Sequence, residues 1–111
     1  MSAYIFNIKQ NDRRPSMVVH LKNYDGTELD LSSANGITFT MTKEGEQTPT
    51  INKASITIVD ATKGQVKYDW SSGQTSEVGT YKGELEVTWT SGVTQTFPAD
   101  DYIKIIINKE L

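Results

Sequence analysis

Along most of this chain apolar side chains fall on every second residue, a spacing that suits a β-strand with one buried face and little else. The pattern is clearest from Gly79 to Thr90, where Tyr81, Leu85, Val87 and Trp89 share one parity and Lys82, Glu84, Glu86 and Thr88 take the other. Val66, Tyr68 and Trp70 alternate in the same way with Lys67 and Asp69, and Ile37, Phe39 and Met41 with Thr38, Thr40 and Thr42. β-Branched and aromatic residues carry the alternation, and these are the types that fit a pleated, half-buried surface. Shorter runs occur at Ile5 to Lys9, Met17 to Lys22, Ser55 to Val59, Val93 to Phe97 and Tyr102 to Ile107. In the second of these Met17, Val19 and Leu21 point inward, and the expected total is about eight strands.

Between the runs lie Tyr24-Asp25-Gly26, Asn35-Gly36, Glu44-Gly45, Lys63-Gly64, Ser72-Gly73 and Ser91-Gly92. Each is a reversal signal, because glycine takes positive φ without steric cost. Thr90-Ser91-Gly92 is short enough to join Trp89 and Val93 in an antiparallel hairpin. No window carries apolar residues at helical spacing with caps, and Leu29 to Ala34 allows one helical turn at most. Strands at intervals of roughly 8–12 residues favour a sandwich or barrel over a parallel α/β sheet. At 111 residues the chain has the length of a single domain, 1–111, around one core.

The segment Thr75-Ser76-Glu77-Val78-Gly79-Thr80-Tyr81 favours the sandwich. A polar turn and a glycine lead into a tyrosine at the start of the longest strand, an arrangement that resembles the tyrosine corner of Ig-like folds, alongside the plainer reading of a buried strand tyrosine. Gly83 stands where an antibody domain would carry cysteine, so any kinship is one of architecture. The expected fold is all-β, an Ig-like antiparallel β-sandwich of about eight strands.

The same residues narrow the chemistry. Fourteen acidic against eleven basic side chains give a net charge of -3, which offers phosphates or an anionic membrane no general attraction, so neither nucleic acid nor membrane is an expected partner. The absence of cysteine removes disulfides and thiolate-bound metals. No apolar run approaches the roughly 20 residues of a membrane helix, and the start of the chain lacks a basic segment followed by an apolar one, so synthesis in the cytoplasm is expected. His20 is the only histidine, and its parity turns it outward beside Val19 and Leu21, the place of an ordinary surface strand residue.

Asp100-Asp101 would suit a hard cation only if Asp12 or Asp60 converged on it, since calcium takes about six to eight oxygens. No cofactor or metal is therefore expected. Arg13-Arg14-Pro15, between the first two strands, is the only adjacent basic pair. On a proline-stiffened loop it suits bidentate contact with carboxylates of a partner, beside the plainer reading of a solvated turn. Trp70 and Trp89 continue inward alternations and so belong to the core; exposed, they would instead make a sugar-stacking platform. No phosphate loop, nucleophile elbow or paired-carboxylate motif is present, so the chain is not expected to be an enzyme.

A family resemblance adds to this reading. Ile8-Lys9-Gln10-Asn11-Asp12 with Pro15, Asp25-Gly26 before Leu29-Asp30-Leu31, and Ile37-Thr38-Phe39-Thr40-Met41 resemble the N-terminal domain of baseplate upper proteins of tailed phages. Val59-Asp60-Ala61, Gly64-Gln65-Val66-Lys67-Tyr68-Asp69-Trp70 and Gly79-Thr80-Tyr81 are similar to its central stretch, and Thr96-Phe97-Pro98-Ala99-Asp100-Asp101-Tyr102-Ile103 to its closing segment. The likeness spans nearly the whole chain in order. It implies an Ig-like sandwich that anchors a receptor-binding apparatus to the phage tail.

The expected function is thus that of a non-enzymatic virion structural protein of a phage or prophage, a baseplate, tail, fibre-anchoring or decoration component. Its partners would be other virion proteins, with self-association in the assembled particle left open, and its residence the virion after synthesis in the bacterial cytoplasm. Asp12, Arg13, Arg14, Asp100 and Asp101 are the expected contacts. The sequence stops soon after Phe97-Pro98 with no helical or fibre region, so a lone anchoring or decorating domain is included in the expectation. The alternative is a carbohydrate-binding β-sandwich that recognises cell-surface polysaccharide through exposed tryptophan.

Overall fold

Strands form where the alternation runs. The computed structural model describes residues 4–23, 25–98 and 102–111, and among them there are nine strands and no helix. They are β1 (Tyr4–Lys9), β2 (Met17–His20), β3 (Ala34–Lys43), β4 (Ile51–Ser55), β5 (Thr57–Asp60), β6 (Gln65–Tyr68), β7 (Gly79–Trp89), β8 (Thr94–Phe97) and β9 (Ile103–Asn108). The larger sheet has the order β1-β9-β7-β3-β4, with β8 also paired to β7, and the smaller has the order β2-β6-β5. β7 is long enough to share one edge between two neighbours: Gly79 to Gly83 pair with β9, and Leu85 to Thr88 with β8.

The inward parity of both sheets builds one core. Met17, Val19, Ile37, Phe39, Met41, Val66, Tyr81, Leu85, Val87, Ile103, Ile105 and Ile107 are all buried in it. At its centre Trp70 meets Tyr68 edge-on at 5.2 Å and Phe39 at 6.2 Å, and stacks on Phe6 at 5.8 Å. Such aromatic pairs contribute about 0.5–1.5 kcal/mol each beyond the area they bury. The corner is formed as in Ig-like folds: the buried Tyr81 hydroxyl donates to the Glu77 carbonyl at 2.6 Å. Gly83 has no room for a side chain, because a Cβ there would stand 2.7 Å from Ile105 Cδ1 and 2.9 Å from Phe39 Cε1. The hairpin after β7 closes with Trp89 N–H donating to the Val93 carbonyl at 2.8 Å, and Gly92 takes φ +90.

Three details differ from the sequence expectation. The sandwich is not antiparallel throughout, because β1 runs parallel to β9 from Tyr4↔Ile103 to Lys9↔Asn108. Alternation fixes which face of a strand is buried but not the direction of a partner from the other end of the chain. The run from Ser55 to Val59 is two strands rather than one: β4 belongs to the larger sheet and β5 to the smaller, with Ile56 at the crossing. The start of β4 was hidden because the pairing slips between Phe39 and Met41, and Lys53 takes φ 52 there, which breaks the period. Asn35-Gly36 is not a turn; it lies inside β3, where the register against β7 shifts between Ala34 and Gly36. A glycine in a strand serves such a bulge as well as it serves a reversal.

Candidate functional site

The loop from Gln10 to Ser16 leaves the Lys9 end of β1 and is fastened along its length. Gln10 N–H donates to the Asn108 carbonyl at 2.7 Å, and its side-chain amide to the Ser76 carbonyl at 2.9 Å. Asn11 turns the chain with φ 69, a conformation asparagine tolerates better than most residues, and its N–H donates to the Thr75 carbonyl at 2.9 Å. The Thr75 hydroxyl donates in turn to the Asp12 carbonyl at 2.7 Å. Thr75 is 2% exposed, the one polar residue buried to that degree among the described residues. Arg13 Nε donates to the Trp70 carbonyl at 3.1 Å, and Ser16 Oγ to Asp69 Oδ1 at 2.5 Å. The loop thus leans on residues 69–76 at one point after another.

This fastening shapes an open cleft. Arg13, Arg14 and Ser16 face Lys67, Asp69 and Trp70 across it. Lys67 and Asp69 come from the outward parity of β6 and its continuation, and Ser16 reaches Asp69 one step beyond the Met17↔Tyr68 pair of β2 and β6. Lys67 Nζ lies 3.8 Å from Asp69 Oδ2, so the single carboxylate of the cleft already holds a hydroxyl and an ammonium. Arg13 and Arg14 are exposed, and Arg14 has no ion pair among the described residues.

Of the contacts expected from sequence, Arg13 and Arg14 therefore meet at one wall of a cleft. Asp12 enters through its backbone, which takes the Thr75 hydroxyl and donates to the Lys9 carbonyl at 3.1 Å. Asp100 and Asp101 lie outside the described residues. Ile103, the first residue of β9, pairs with Tyr4, whereas the Arg13-Arg14 loop departs beyond Lys9, which pairs with Asn108. Those two ends of β9 are roughly 17 Å apart at about 3.3 Å per residue. Thr75, Ser16, Lys67 and Asp69 were not among the contacts expected from sequence. A threonine carries no periodic mark of burial, and the parity of Lys67 and Asp69 announces only that they face water.

His20 is exposed on β2, and its carbonyl accepts the Tyr4 hydroxyl at 2.8 Å. Among the described residues no group of three or more histidines or carboxylates is placed to hold a metal ion. Trp70, 2% exposed, offers no sugar platform, whereas Trp89 is half-buried, packed partly against the core with its indole N–H donating to Gln95 Oε1 at 3.1 Å. Of the two aromatic faces that the carbohydrate-binding alternative would use, that of Trp70 is buried in the core.

Two layered sheets and a corner tyrosine define an Ig-like β-sandwich domain. The chain belongs to the BppU N-terminal domain family, that of the phage baseplate upper protein, whose family model matches residues 3–99. No curated protein matches the chain.

Proposed function

We propose that this chain is a structural component of a phage or prophage tail, seated at the baseplate, that works by holding neighbouring virion proteins and catalyses no reaction. The family match over residues 3–99 carries this reading. The pinned Gln10 to Ser16 loop supports it, because a surface already held by Thr75, Trp70 and Asn108 loses little conformational freedom when a partner docks. Asp12, Arg13 and Arg14 are its contact residues, and Asp100 and Asp101 are added on the sequence alone. The net charge of -3 supports protein rather than nucleic acid as the partner. Mass spectrometry of purified particles tests the assignment: the protein should be present at a fixed ratio to other tail proteins, and its absence from intact particles would refute it.

A further inference from the structure

The cleft beside the Arg13-Arg14 loop carries charge opposite in sign to that of the chain as a whole. The whole chain carries a net charge of -3, yet the cleft gathers Arg13, Arg14 and Lys67 against one carboxylate, Asp69. That carboxylate is occupied from both sides, by Ser16 Oγ on Oδ1 and by Lys67 on Oδ2. Arg13 is tethered through Nε to the Trp70 carbonyl, which fixes the root of its guanidinium and leaves its terminal N–H donors at the rim. Arg14 has no carboxylate of its own chain among the described residues. The one buried side-chain donor without a partner among those residues, Trp70 Nε1, also belongs to a residue of the cleft wall.

We infer that this cleft is a receptor for a carboxylate-bearing segment of a partner protein, an acidic loop or chain end that lays its side chains against Arg13, Arg14 and Lys67. The inference rests on the structural role proposed above and names the chemistry of the partner at that site. Guanidinium groups present donors in a planar fork that matches a carboxylate, and tethering Arg13 lowers the entropy lost on engagement. Charge complementarity selects the occupant. The cationic excess repels a basic segment and favours one that brings carboxylates to Arg13, Arg14 and Lys67.

The test is an NMR titration of the isotope-labelled chain with a hexaglutamate peptide, alongside inorganic phosphate at matched ionic strength. The inference expects saturable shifts confined to residues 13–16 and 67–70, a perturbed Trp70 indole resonance, and at least about a tenfold weakening in both Arg14→Gln and Lys67→Gln. Lys53→Gln, on β4 of the other sheet, should leave binding unchanged. Shifts spread over lysines elsewhere would overturn it, and so would equal binding of phosphate, which would make the cleft a general anion site. Concentration-dependent dimerisation through the same residues would overturn it in favour of a second copy of the chain. Failure here with the protein present in particles counts against the acidic partner alone, whereas absence from particles counts against the structural role.

Discussion

Thr75 and Asp12, 63 positions apart in sequence, are joined by a 2.7 Å hydrogen bond from the threonine hydroxyl to the aspartate carbonyl. Together with the return bond from Asn11 N–H to the Thr75 carbonyl, it clamps the loop that carries Arg13 and Arg14 to the opposite loop of the sandwich. Thr75→Val removes the donor and keeps the bulk. It should cost about 1 kcal/mol, the usual net worth of one such bond. The midpoint of urea denaturation should fall at unchanged slope, and amide exchange should quicken at Asn11 and Asp12. A variant as stable and as protected as the parent would show that the clamp does not hold the loop.

The corner bond from Tyr81 to the Glu77 carbonyl makes a second prediction. Tyr81→Phe should destabilise the fold by about 1 kcal/mol and leave the strand pairing intact. The pH response gives a further check. Burial pushes the hydroxyls of Tyr4, Tyr68 and Tyr81 above their ordinary value of 10.0, and for Tyr81 the nearby Glu77 pushes the same way. The unfolded chain therefore releases these protons first. Stability should be intact below about pH 10 and fall as pH rises through the folded-state values. Tyr81→Phe should flatten that fall, and an unchanged alkaline slope would contradict the assignment.

Gly64 sets a stricter limit. It takes φ +66, and a Cβ there would stand 2.6 Å from the Leu21 carbonyl oxygen and 2.7 Å from that of Leu29. Both atoms are backbone, and Leu21 N–H already donates to the Gly64 carbonyl at 2.8 Å. Gly64→Ala combines an unfavourable φ with a clash that no rotamer relieves, so a loss of at least about 2 kcal/mol is expected. Thermal denaturation against Gly26→Ala provides the comparison: Gly26 has φ +89 but open space around it, so it should lose less.

The two tryptophans can be separated by quenching. In Trp89→Phe, Trp70 is the sole tryptophan, and its emission should be blue and nearly inaccessible to iodide, as its 2% exposure requires. Glycans should leave that emission unmoved. Ready quenching, or a shift on adding polysaccharide, would restore the carbohydrate-binding alternative.

How legible these features were in the sequence depends on what each rests on. The inward set of β7, Tyr81, Leu85 and Val87, follows from parity alone, because burial of one face is a property of the strand itself. The Tyr81 corner was legible because a polar turn and a glycine precede it locally. The parallel pairing of β1 with β9 was not, since it joins the two ends of the chain and leaves no local mark. At the site, the adjacent pair Arg13-Arg14 before Pro15 stood out in composition. Ser16, Lys67 and Asp69 became visible as parts of the cleft only when pairing of β2 with β6 brought distant segments together, and Thr75 only through its bond to the Asp12 carbonyl.

The most direct test of the structural role is the incorporation of Arg13→Glu/Arg14→Glu into particles, measured by quantitative mass spectrometry beside circular dichroism of the free variant. The variant gives up the bond from Arg13 to the Trp70 carbonyl, worth about 1 kcal/mol, but both side chains are exposed, so it should keep the strand spectrum and stay folded, yet fall to a small fraction of parental occupancy in purified particles. A folded variant that enters particles at the parental level would contradict the account.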